Sequence, residues 1–164
     1  MPATTDALIL LYVDTANIPK PAPSDPADNS ILEHVFLASN NTDPNTPPES
    51  PSAPSGKTTF KTDLKSNSQI AWVGAVQDIS NQQNDYVLIN SITLNNDNIG
   101  IILRDKFGGK NPNQAGSGDT HIDGIVRNNP GPAGSETTYT INFSVCHNGT
   151  VTDGYQIDPK MRMT

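Results

Sequence analysis

Disulfide chemistry is the first thing excluded, because the 164-residue chain holds a single cysteine, Cys146. A lone thiol closes no intrachain bridge. With no N-terminal signal-peptide pattern beside it, it predicts an intracellular, cytoplasmic product. Positive charge is scarce as well: 10 Lys and Arg stand against 17 Asp and Glu, a net −7, with no basic stripe. That balance predicts no nucleic-acid partner and no attraction to anionic membranes. The most apolar run, Ala7–Val13, is about a third of the ~20 residues a spanning helix needs, so membrane insertion is not expected. Apolar residues make up 34% and aromatics 5%. The core must therefore be small, although the chain is long enough for one domain over residues 1–164 and too short for two comfortable ones.

Turn-forming residues replace the missing hydrophobic mass: 18 Asn, 14 Asp, 14 Pro and 12 Gly. Between them lie short stretches with the period-two alternation of half-buried strands. The clearest is C-terminal, where Tyr139, Ile141, Phe143 and Val145 alternate with Thr138, Thr140, Asn142 and Ser144. A turn at Asn148-Gly149-Thr150 follows, then a last extended piece from Tyr155 to Met163. Upstream, strands are predicted at Asp6–Val13, Ile31–Ser39, Thr58–Leu64, Gln69–Gln77, Tyr86–Leu94, Ile99–Phe107 and His121–Arg127. The first reads as apolar on both faces, and Ile70, Trp72 and Val76 read as core. Tyr86–Leu94 and Ile99–Phe107 read as a pair joined by a turn at Asn95–Asn98. Asn17–Asn29, Asn40–Gly56 and Gly108–Gly118 read as loops. Regular apolar strands argue against disorder. The fold class expected is all-β: a single antiparallel β-sandwich of about eight or nine short strands with long Pro/Asn/Gly-rich loops. No internal repeat is visible.

Catalytic constellations are missing too. Ser55-Gly56-Lys57-Thr58 has the tail of a phosphate-binding loop, but Pro51 stands where the first glycine belongs and no helix follows. His34, His121 and His147 are widely spaced along the chain, whereas a metal site needs its ligands to converge on one ion. Cys146 and His147 are adjacent, so on a strand their side chains point to opposite faces and cannot activate one another. Cys146 continues the Thr140–Ser144 face, and a packed free thiol is the expectation. What remains is a set of polar loop residues: Asp78, Asn81, Asn84 and Asp85 in one connection, Asn96, Asp97 and Asn98 in the next, and Asp105, Asp119 and Asp123 around the Gly-rich loop. Hard oxygens of this kind suit Ca²⁺ or sugar hydroxyls, so calcium is the one cofactor and carbohydrate the one small ligand to consider. The same residues are what β-turns want, and spacing alone does not separate the readings. At the C-terminus Asp158-Pro159 cannot sit in an interior ladder. Tyr155, Ile157, Met161 and Met163 therefore read as an edge, protected by Lys160 and Arg162 or paired with a second copy.

Several of these stretches carry a resemblance. Ala7-Leu-Ile-Leu-Leu-Tyr-Val-Asp-Thr15, Asn67-Ser-Gln-Ile-Ala-Trp-Val-Gly74, Asn84-Asp-Tyr-Val-Leu-Ile89, Tyr139-Thr-Ile-Asn-Phe143 and Ile157-Asp-Pro-Lys-Met161 resemble the bacterial inclusion-body protein family (PixA/AidA). Pro44–Pro54 and Lys106–Thr120 have no counterpart in that pattern. The resemblance implies a small β-sandwich-like protein, abundant and self-associating, with no defined molecular activity. The resulting expectation is a non-enzymatic homo-oligomer with a structural, assembly or host-interaction role. The alternative is a calcium- or carbohydrate-binding module using the Asp/Asn loops.

Overall fold

Alternation along the chain becomes ten strands and one helical turn in a computed structural model that describes residues 6–25, 29–40, 60–78, 80–107 and 121–164. In chain order the strands begin with β1 (Ala7–Val13), the turn α1 (Asn29–Leu32), β2 (Val35–Ser39), β3 (Lys61–Leu64), β4 (Gln69–Val76) and β5 (Tyr86–Asn96). There follow β6 (Ile101–Phe107), β7 (His121–Val126), β8 (Glu136–His147), β9 (Thr150–Ile157) and β10 (Lys160–Met163). The Ser55–Thr58 motif, the Pro44–Pro54 and Gly108–Gly118 loops and Asp119 lie outside the described residues. So do the side chains of Asp105 and His121.

These strands form two five-stranded sheets. The first, sheet A, has the order β2-β1-β4-β7-β6; sheet B has the order β3-β10-β8-β5, with β9 also against β8. The all-β expectation holds as two separate sheets around one core, but the sheets are mixed rather than antiparallel throughout. β1 runs parallel to β4, and β3 parallel to β10. Both pairings join strands far apart in sequence through a crossover, which a local pattern cannot signal.

Inward side chains of both sheets meet in a single hydrophobic cluster. Ile9, Leu11, Val35, Leu37, Ile70 and Trp72 come from sheet A; Ile89, Tyr139, Ile141, Phe143, Tyr155 and Met161 come from sheet B. Trp72 and Tyr139, both fully buried, meet edge to face across the core with ring centroids 5.8 Å apart. Phe143 stacks on Tyr155 at 5.2 Å within sheet B. The sheets approach closely at Gly74, where a Cβ would stand 2.9 Å from the Val87 side chain. Trp72 is core as expected, and Val76 packs against the core while partly buried.

Three expectations change. β1 is not buried on both faces: Ala7, Ile9, Leu11 and Val13 are buried, while the residues between them are only partly so. β5 and β6 are not a hairpin, because the chain passes from sheet B to sheet A at Asp97. Asp97 caps that passage by accepting from the backbone N–H groups of Gly100 (2.8 Å) and Ile101 (3.0 Å). Finally, the last extended piece divides at Asp158-Pro159, as a proline requires: β9, before it, pairs with β8 alone and is an edge among the described strands, whereas β10, after it, is not. β10 lies between β3 and β8, and Tyr155, Ile157, Met161 and Met163 are all in the core. Arg162 turns the other way and forms a two-pronged pair with Asp63 of β3, at 3.2 and 3.3 Å.

Candidate functional site

A dense polar cluster gathers where β1 and β8 end and β5 begins. Thr15 follows β1, Asp85 precedes β5, and His147 closes β8 ahead of the two-residue turn at Asn148 and Gly149. Those two residues have φ of 49° and 77°, the conformation that fits the twist of a tight hairpin. The β5–β8 register places Tyr86 opposite Cys146, so the residues just outside that rung, Asp85 and His147, meet at the same end.

Asp85 is the centre of this cluster, with its side chain 3% exposed. Its Oδ2 lies 2.6 Å from His147 Nδ1 and 2.5 Å from the Thr15 hydroxyl, and its Oδ1 accepts from the Asn148 backbone N–H at 3.0 Å. The Thr15 oxygen is also 2.7 Å from Gln82 Oε1; its single proton goes to the carboxylate, the stronger acceptor. Gln82 extends the network by donating to Asp14 Oδ1 at 3.3 Å. Asp14 in turn accepts from Asn17 Nδ2 at 2.8 Å and stands 3.6 Å from His34 Nδ1. Burial pushes the Asp85 carboxyl upward, but the bonds from His147, Thr15 and Asn148 outweigh it and leave its pKa below the usual value. Asp14 behaves alike: the bonds from Asn17 and Gln82 overcome its burial, with His34 adding to them.

An aspartate holding a histidine by Nδ1 is the orienting half of an acid–base pair. Here the other half is missing. His147 Nδ1 donates to Asp85, which leaves Nε2 as acceptor for the Asn148 side-chain amide at 3.1 Å. The Thr15 hydroxyl bonds the same carboxylate rather than facing Nε2. Cys146 points to the opposite face, as adjacency required, and packs with Tyr86, Leu88 and Val151 in a small cluster of its own. The arrangement joins three chain segments and leaves no nucleophile beside a base.

The other expected ligand residues are dispersed. Asp78 serves its own turn, accepting from Ser80 Oγ and Asn81 Nδ2 at 2.8 and 2.7 Å. Asn84 is exposed beside it. Asn96 ends β5 and Asp97 follows it, roughly 35–40 Å of extended strand from Asp85. Thus Asp78, Asn81, Asn84 and Asp85 share one end of the molecule, Asn96 and Asp97 the other, and they do not form one site. No group of three or more His, Cys, Asp or Glu able to hold a metal occurs among the described residues. No helix there is long and apolar enough to cross a membrane.

A second polar array lies on the outer face of sheet B. Asn90 Nδ2 donates to Ser144 Oγ (2.6 Å), which donates to Asp153 Oδ1 (2.5 Å). Four residues along β8, Asn95 Nδ2 donates to Thr140 Oγ1 (2.8 Å), which donates to Asp158 Oδ1 (2.6 Å). The polar half of the β8 alternation was the signal for this array, and it was legible only as a face, not as rows.

No family profile matches the sequence, and no curated protein matches it. In three dimensions the chain is similar to the crystal structure of an inclusion body protein, PixA, from Burkholderia cenocepacia J2315. The alignment covers 96% of this chain and 94% of that one, at TM-score 0.57 and 10% identity. The two share a fold. A cysteine protease inhibitor from Entamoeba histolytica aligns over 66% of this chain and 88% of its own at 10% identity, but its TM-score of 0.34 is too low to carry an argument. PixA is the family that the five sequence stretches resembled, and the likeness to it runs through nearly the whole of both chains.

Proposed function

We propose that this chain is a non-enzymatic assembly protein that associates with copies of itself, in the manner its fold neighbour's name describes. The observation that carries this reading is the saturation of Asp85. The one aspartate–histidine pair with the geometry of a dyad among the described residues spends its acceptors on Thr15, His147 and Asn148, and so acts as a clamp. The end-to-end likeness to an inclusion body protein supports the assembly half. Light scattering on purified protein over a concentration series, in EDTA and then in millimolar Ca²⁺, tests it. A mass rising above 17.5 kDa in both buffers is expected. A monomer at every concentration would end the reading.

The outer face of sheet B favours a second reading, carbohydrate binding. Two rows of amide, hydroxyl and carboxylate groups repeat about 13 Å apart, four residues of strand. The Ser144 and Thr140 hydroxyls are buried and bonded within the rows, so a polyhydroxylated ligand would meet the exposed Asn90 and Asn95 amides at their ends. Binding to a glycan surface that Asn90→Ala and Asn95→Ala abolish, with the protein monomeric throughout, would put this reading first.

A further inference from the structure

The outward face of sheet A has the wrong chemistry for a surface sheet. A two-layer β fold turns alternate residues to water, and those positions are normally polar. Here β1 sends out Leu8, Leu10 and Tyr12, which are only partly buried. In register beside them stand Ala38 and Phe36 of β2, and Ala71, Val73 and Ala75 of β4. Tyr12 and Phe36 touch, with ring centroids 6.2 Å apart. The face extends across Ile125 of β7 to Ile102 of β6, which at 46% is the one exposed large hydrophobic among the described residues. Among the described residues of these strands, charge enters at the β7–β6 side, with Asp123 and Arg104. The described elements that pack substantially against this sheet are those of sheet B and α1, whose Ile31 and Leu32 join the inner core.

We infer that this face is where a second copy of the chain docks, back to back across a twofold axis. The inference rests on the self-association proposed above and names the surface that does it. Two arguments select a second copy. The first is charge: chains of net −7 repel, and contact costs least where each presents an uncharged apolar centre. The second is area. Five strands about 4.8 Å apart and about six residues long at ~3.3 Å each give on the order of 500 Å² per copy. Two copies then bury about 1,000 Å², the lower bound for a specific interface, so the dimer is weak and concentration-dependent. A twofold pairing needs only one self-complementary patch, which is what a single apolar face supplies.

Sedimentation over a concentration series tests this with three variants: Val73→Lys at the centre of the face, Ile102→Lys at its exposed edge, and Thr93→Lys on the outer face of sheet B as control. Circular dichroism checks that each is folded. Both sheet A variants are expected to raise the dimer dissociation constant by about tenfold or more, and the control to leave it unchanged. If Val73→Lys fails to fold, Ile102→Lys decides, since its side chain is already exposed. A wild type that associates equally well with the sheet A variants overturns this inference and leaves the assembly reading standing. A monomeric wild type overturns both. As an independent measurement, Leu10→Cys in a Cys146→Ser background should form a disulfide-linked dimer on mild oxidation, and Thr93→Cys should not. The reverse pattern overturns the inference.

Discussion

Asp85 shows how much one buried carboxylate can organise. Its three partners come from the segment after β1, the end of β8 and the following turn, so it joins both sheets at one end of the molecule. Asp85→Ala leaves a buried hydroxyl, an imidazole N–H and a backbone N–H without their acceptor. The expected loss is about 3 kcal/mol, read from urea midpoints at neutral pH. The acid dependence has a definite sign. The folded pKa lies below that of an unfolded aspartate, about 3.9, so the contribution is complete above that value and is lost as pH falls through the folded one. Asp85→Asn should therefore flatten the fall in stability below about pH 4. An unchanged slope would show that the carboxylate is not the titrating group. Cys146 makes the opposite case. It is 1% exposed beside Tyr86, whose phenol is pushed up to about 12 by burial and by the neighbouring thiol. A thiol reagent should label it only at the rate of unfolding, and rapid labelling of the native protein would contradict the packing. The divergence of Cys146 and His147 was legible from adjacency alone. The pairing of His147 with Asp85 was not, because it depends on the register of two strands 62 residues apart in sequence.

At the scale of the element, strands announced themselves and their neighbours did not. Gln69–Gln77 and Tyr86–Leu94 were placed within a residue or two of β4 and β5, since alternation is local. Ile31–Ser39 was overextended because Ile31 and Leu32 are as apolar as any strand pair, yet they form one helical turn into the core. The β10 half of the C-terminal edge was misassigned for a different reason. Lys160 and Arg162 look like edge protection, but β3 lies against β10 and supplies Asp63 for Arg162. The pattern of β10 was right and the identity of its neighbour was invisible. The turn of the β8–β9 hairpin was legible at Asn148-Gly149, but the strand after it was expected from Tyr155 and begins at Thr150. Gly149 has φ of 77° and nothing within 4 Å of where a Cβ would be, so Gly149→Ala carries a purely conformational cost. About 1 kcal/mol of stability should be lost, measured by chemical denaturation. A loss several times larger would mean that the turn makes contacts of its own.

The whole molecule has two outer faces of opposite character, and its net charge decides how they behave. Sheet B turns out rows of Asn, Ser, Thr and Asp, with a small buried cluster of Tyr86, Leu88 and Cys146 at one end; sheet A turns out Leu, Tyr, Phe and Val. The apolar outer residues of β1 were visible in the sequence, where they made the strand look buried on both sides. The sequence could not say that the second side faces outward, because that depends on which layers exist. Salt separates the two faces as routes to association. A contact through sheet A brings two chains of charge −7 together over an uncharged centre, so screening removes repulsion and takes away no attraction. Association should then strengthen as sodium chloride is raised from about 0.05 M to 0.5 M, across which the Debye length falls well below the ~10 Å of 0.1 M salt. A contact built on ion pairs would weaken over the same range. Sedimentation equilibrium at the two salt concentrations reads the difference directly, and a dimer that dissociates in high salt would move the interface away from sheet A to a charged surface.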